Sequence, residues 1–146
     1  MFRARGAIPA PLTMLIVDRS PMLRAMLKRV LQISGVPIAA ILDAADRTQA
    51  LDQLTHVPID ALFVGVDPPE REGADLLRTV LLHGEWRHVV CIAMGAHPAA
   101  ALASQEPLPL RGTLEMPFTT NRVRELLSDL ILSTPDPRSS TPDPRL

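Results

Sequence analysis

The chain has 146 residues, 47% of them hydrophobic, and its 15 basic and 16 acidic side chains leave a formal net charge of -1. That length holds one domain of ordinary size, and the charge balance lacks the basic excess expected of a nucleic-acid binder, so nucleic acid is not an expected partner. The lone Cys91 excludes an internal disulfide, and no apolar run approaches membrane-spanning length, so no membrane partner is expected either.

Residues 1–11 read as a flexible lead. Met1 to Arg5 imitates the charged end of a signal peptide, but Pro9, Pro11 and Asp18 interrupt the apolar stretch that should follow, and the cytoplasm is the expected location. Thr13 to Val17 is a first strand. Ser20 and Pro21 then supply an N-cap and a first-turn proline for a helix with Leu23, Met26, Leu27, Val30 and Leu31 on one stripe, closed by Gly35. A second strand lies around Ala39 to Leu42. Asp46, with Gln49 in capping-box spacing, opens a short helix that turns Ala50, Leu51 and Leu54 inward.

Ala61 to Val66 is continuously apolar, as a central strand covered on both faces should be. A polar loop from Asp67 to Gly73 precedes a helix bearing Leu76, Leu77, Val80 and Leu81, and a fourth strand spans His88 to Met94. The alanines and prolines of Ala96 to Leu110 support only a short helix. Gly112 to Met116 is a short edge strand, and Thr119 caps a last helix carrying Val123, Leu126, Leu127, Leu130 and Ile131. Strands alternating with helices predict an α/β fold with a parallel sheet over residues 12–132. Residues 133–146 hold a direct repeat of Ser-Thr-Pro-Asp-Pro-Arg, without apolar side chains to bury, and read as a disordered tail.

Four strings carry a family resemblance: Val17 to Arg24 after strand one, Ala44 to Asp46 after strand two, Asp60 to Leu77 around strand three, and Met116 to Phe118 after strand five. Together they resemble the receiver domain of CheY-like response regulators over about Thr13 to Ile131. The resemblance implies a doubly wound (βα)5 domain with a five-stranded parallel sheet in a three-layer sandwich, and a place in two-component or chemotaxis-like signalling. It also implies where the chemistry would sit: a strand-three aspartate as phosphoacceptor, acidic residues after strand one holding Mg²⁺, a hydroxyl ending strand four, and a lysine after strand five.

Carried over residue by residue, the resemblance implies a degenerate pocket. Gly65 falls at the phosphoacceptor, with the register checked by Pro69, Gly73, Leu76 and Leu77. Asp18 keeps the first acidic position, Arg19 replaces the second, Ala93 falls at the hydroxyl, Met116 at the lysine, and Thr113 at an aromatic switch position. Pro117 resembles the family's cis proline. Asp18 and Asp67 are the remnant candidates for a cation site, but two carboxylates beside a guanidinium are a thin site for Mg²⁺, and no cofactor is expected. Arg19 can instead neutralise the pocket by pairing with Asp18 or Asp67, or turn to solvent.

No catalytic set accompanies these losses, and the chain is not expected to be an enzyme. The histidines lack metal-site spacing, and Met22, Met26 and Met94 are expected to be packing residues. No effector segment is expected after the domain, so the expected output is a protein–protein contact, with Thr113, Arg122 and Arg124 as candidate contact residues on the face of helix four, strand five and the last helix. Homodimerisation is left open. Two alternatives stand beside this: a small-molecule sensor or enzyme using the strand-end crevice, which Met116 can also fill, and a phosphorylatable regulator whose acceptor is Asp67 in a shifted register.

Overall fold

The computed structural model describes residues 11–68, 71–103 and 108–133, the last five by backbone alone. The Pro69 register check, most of the expected lead, the Ser-Thr-Pro-Asp-Pro-Arg repeat, and the side chains of Leu130 and Ile131 lie outside the described residues. The elements alternate along the chain as β1 Leu12–Val17, α1 Pro21–Ile33, β2 Ile38–Ala44, α2 Arg47–His56, β3 Ala61–Gly65, α3 Glu72–Leu82, β4 Val90–Gly95, α4 Pro98–Ala101, β5 Gly112–Glu115 and α5 Thr120–Ser133, with a 3-10 turn at Gly84–Trp86.

Five parallel strands form one sheet in the order β2-β1-β3-β4-β5. Strand order reverses between β1 and β3, and in open α/β sheets the crevice beyond the carboxyl ends at such a point is where ligands bind. Val17 and Gly65 end the two strands there. β3 is buried along Ala61–Val64, as its unbroken apolar run requires of a central strand.

Two apolar clusters flank the sheet. On one side Leu27 and Leu31 of α1 and Val123, Leu126 and Leu127 of α5 pack on Met14, Ile16, Phe63 and Ile92. On the other, Ala50 and Leu54 of α2 and Leu76, Leu77 and Val80 of α3 pack on Leu15, Leu62, Val64 and Cys91. Burial pushes the Cys91 thiol up to about 12. Local chemistry sets the helix starts. Ser20 Oγ accepts from the Leu23 N–H at 3.1 Å, Asp46 Oδ1 from the Gln49 N–H at 2.9 Å, and Thr119 Oγ1 from the Arg122 N–H at 3.1 Å. Gly35, at φ +89°, turns the chain out of α1 in a conformation that favours glycine.

Three expectations are corrected. Met94 is buried, but Met22 is 72% and Met26 43% exposed. The core face of α1 centres on Leu27 and Leu31, and both methionines fall on its flank. Gly73 belongs to the first turn of α3 and not to the loop before it, because its missing side chain lets the helix close on the end of β3. β4 spans Val90–Gly95, starting two residues after the expected His88 and ending one beyond Met94.

Candidate functional site

The switch-point crevice has a volume of about 160 Å³ and is bordered by Asp18, Arg19, Leu23, Gly65, Asp67 and Leu76, with Asp46, Arg47 and Glu72 at the α2–α3 side. Strand ends place Asp18, Gly65 and Asp67. The Asp18 carboxylate accepts the Ser20 N–H at 2.8 Å through Oδ1. Its other oxygen, Oδ2, lies where a side chain at position 65 would begin: a Cβ built on Gly65 would be 1.9 Å from it. The same substitution of carboxylate for side chain occurs at the end of β4. A Cβ on Gly95 would be 2.2 Å from Asp67 Oδ1, and both Asp67 oxygens accept the Ala96 N–H, at 3.0 and 2.9 Å.

Electrostatics at Asp18 oppose ionisation. Partial burial raises its pKa above the ordinary carboxyl value, with Asp67 adding to the rise, while the Ser20 N–H bond and Arg24 lower it. Arg24, which the sequence reading passed over, places its guanidinium between the β1–α1 junction and the sheet edge. It donates to the Asp18 carbonyl oxygen and, through Nε, to Asp43 Oδ2 at 3.0 Å. The signal for it was a cation on the margin of the α1 apolar arc, one turn past Ser20. Glu72 was also missed. Its carboxylate accepts the Arg47 N–H at 2.9 Å and ties the starts of α2 and α3 together at the crevice rim.

The crevice gathers Asp18, Arg19, Gly65 and Asp67, but neither Ala93 nor Met116 borders it. Ala93 is buried inside β4 opposite Val64, and the residue ending that strand is Gly95. Met116 follows β5 at the cis Met116–Pro117 peptide and is 38% exposed, grouped with Thr113, Pro117 and Arg122 on the β5–α5 face. The space by Gly65 is therefore filled by Asp18 and not by Met116. Of the candidate contact residues, Thr113 and Arg122 are neighbours, with Arg122 donating to the Thr113 carbonyl at 3.2 Å and pairing with Glu125 at 3.5 Å. Arg124 stands apart on the other flank of α5. Its Nε donates to the Ser34 carbonyl at the end of α1, at 3.0 Å.

Several solved structures superpose on this chain over most of their length. A sensor protein from Polaromonas sp. JS666 superposes with a TM-score of 0.72 at 23% identity, covering 84% of this chain and 97% of that one. The chemotaxis response regulator CheY4 of Vibrio cholerae gives a TM-score of 0.67 at 20% identity, over 82% and 98% of the two chains. The chain has the receiver fold. The signal receiver domain of a DNA-binding response regulator from Colwellia psychrerythraea 34H, with a TM-score of 0.69 at 18% identity over 84% and 99%, shows the same receiver fold. No protein-family model and no curated protein sequence matches the chain. No helix among the described residues is long and apolar enough to cross a membrane.

Proposed function

We propose that this chain is a receiver-like module of a two-component or chemotaxis-like pathway in the cytoplasm, which works through contacts with protein partners and accepts no phosphoryl group. Gly65 carries the reading. It stands at the strand-three position of the receiver nucleophile, offers no side chain, and has the Asp18 carboxylate in the space such a side chain would take. Phosphoryl transfer depends on positioning and on neutralising developing negative charge. This crevice instead presents two acidic side chains, Asp18 and Asp67, already engaged by backbone N–H groups. The donors also fit Mg²⁺ poorly: Asp67 has both oxygens on Ala96, Asp18 has one on Ser20, and no group of three or more metal-ligating side chains forms among the described residues. Thr113 and Arg122 on the β5–α5 face are the contact residues this reading favours.

Intact-mass spectrometry after incubation with acetyl phosphate and Mg²⁺ tests it. The protein is expected to gain no phosphoryl mass, and Gly65→Asp alone is expected to gain none, because the new carboxylate meets Asp18. A phosphorylated natural protein would overturn the reading, and an adduct on Asp67 would move the acceptor two residues along. A second reading, a small-molecule sensor, draws on the apolar walls that Leu23 and Leu76 give the crevice. A ligand that raises the melting temperature of the protein but not of a Leu23→Arg variant would favour it.

A further inference from the structure

The sheet has two edges, and they are protected unequally. β5 has four residues, and the Thr113 carbonyl there is taken by Arg122. β2 has seven, and it pairs along one side only, with β1. The Asp18 N–H donates to the Ala44 carbonyl. By strand alternation Ala40, Leu42 and Ala44 therefore turn their peptide groups to β1, and Ile41 and Asp43 turn theirs to the open edge. Nothing among the described residues pairs with those outward groups. Such an edge is a template for another strand unless charge, proline or a bulge blunts it. From Ala39 to Asp43 the one charged side chain is Asp43, already paired with Arg24 at 3.0 Å, and the bulge lies at the margin of this segment, where the register shifts between Ile38 and Ala40.

The order of side chains says what fits the edge. Set antiparallel to itself with Ile41 on a two-fold axis, β2 places Ala39 opposite Asp43, Ala40 opposite Leu42, and Ile41 opposite its own copy. Leu42 and Asp43 each meet an alanine, and no like charges face one another. The faces agree as well. Leu42 packs on the α2–α3 side of the sheet and Ile41 on the α1–α5 side, so pairing continues both apolar layers across the axis. Other registers fit worse: an axis at Leu42 sets Ile41 against Asp43, and one at Ala40 runs the pairing into the bulge. Ala39 and Ala40 are exposed and Ile41 and Leu42 half-exposed, so the surface to be covered is apolar. A net charge of -1 offers little repulsion between copies.

We propose that two copies of this chain pair antiparallel through their β2 edges, with Ile41 on the two-fold axis, and join their sheets into one. The contact is small, which sets the dissociation constant at about 10 μM or above. β5 lies at the opposite edge of each sheet, so the dimer leaves both β5–α5 faces free at its two ends.

Cysteine cross-linking of the full chain reads the axis directly. Cα atoms across a hydrogen-bonded antiparallel pair are about 5.5 Å apart, within disulfide reach, and the native Cys91 is buried. Ile41→Cys is expected to form a disulfide-linked dimer under mild oxidation. Ala39→Cys and Asp43→Cys are each expected to stay unlinked alone and to cross-link when mixed, because these positions face one another and not themselves. Sedimentation velocity of the natural protein from about 5 to 500 μM should show its average mass rising toward that of a dimer. Ala40→Lys, a change at an exposed position, should return it to monomer; if that variant disturbs the fold, the mixed cross-link decides. A natural protein that stays monomeric throughout, a dimer that Ala40→Lys leaves intact, or Ala39→Cys linking alone as readily as in the mixture overturns the proposal. So does protection of the Ile41 and Asp43 amides from hydrogen exchange in the dilute monomer, which would mean that the chain covers this edge itself. None of these outcomes bears on the reading of the Gly65 crevice.

Discussion

Gly65 and Gly73 face one another at the end of β3, and the structure assigns very different costs to adding a single methyl group at each. A Cβ on Gly73 would be 1.9 Å from the Gly65 carbonyl oxygen, 3.0 Å from its carbonyl carbon and 3.2 Å from Val64 Cγ1. Two of these atoms are backbone of a buried strand, so relief requires α3 and β3 to separate. Overpacking of this kind costs about 1–3 kcal/mol or more, and the better helix propensity of alanine returns at most about 1 kcal/mol. Gly73→Ala should therefore lose about 2 kcal/mol, a fall in melting temperature of roughly 10 °C for a domain of this size.

At Gly65 the obstacle is different. The contacts at 1.9 and 3.0 Å are to the Asp18 carboxyl group, the far end of a half-buried side chain that can rotate toward water. Rotation gives up the Ser20 N–H bond, worth about 1 kcal/mol, and recovers hydration of a carboxylate whose burial had raised its pKa. The two effects oppose each other, and Gly65→Ala should stay within about 1 kcal/mol of the parent. Urea and thermal melts of both variants give the comparison, and an NMR titration of Asp18 should show its pKa falling in Gly65→Ala. Gly73→Ala as stable as the parent, or Gly65→Ala as damaging as Gly73→Ala, would refute the packing described at this junction.

Asp18→Asn keeps an oxygen for the Ser20 N–H and removes the charge. Because the native pKa of Asp18 lies above its ordinary 3.8, the folded protein holds that proton more tightly than the unfolded chain, and stability falls as pH rises through the native pKa. Asp18→Asn should thus melt no lower than the parent at pH 7, with any advantage closing as pH approaches 4. A lower melting temperature for the variant at pH 7 would contradict this. Arg124→Ala, which removes the donor to the Ser34 carbonyl, should cost about 1 kcal/mol in a urea melt. Arg122→Glu, breaking only an exposed pair with Glu125 and a surface bond to Thr113, should change stability by less than about 0.5 kcal/mol while weakening contact with a partner on the β5–α5 face. The reverse order of stabilities would show that the two arginines had been assigned to the wrong flanks.

What was legible in the sequence was whatever depends on local pattern. The apolar run of β3 reports burial on two faces, and Ser20, Asp46 and Thr119 announce their helices because an N-cap needs a short side chain with an acceptor oxygen. Alignment by motif was also sufficient to put Asp18, Gly65 and Asp67 at one crevice, since each sits within two residues of a strand end. It did not foresee that Ala93 and Met116 lie away from that crevice, Ala93 buried inside β4 and Met116 on the β5–α5 face, because local pattern carries no information on which strand residues line it. Nor could spacing reveal that Met22 and Met26 are exposed: an apolar arc half the circumference of a helix looks like a generous core face until the width of the actual contact is known. The least legible feature was the replacement of side chains by carboxylates at Gly65 and Gly95. A glycine in a sequence announces that a side chain is missing, and only the three-dimensional neighbourhood says what stands in its place. Here the occupants come from loops 47 and 28 residues away, Asp18 and Asp67, so the two glycines at the strand ends and the two acids beside them form a single arrangement. A side chain placed at either glycine must displace the carboxylate that occupies its space, so a substitution at one position is felt at its acidic neighbour.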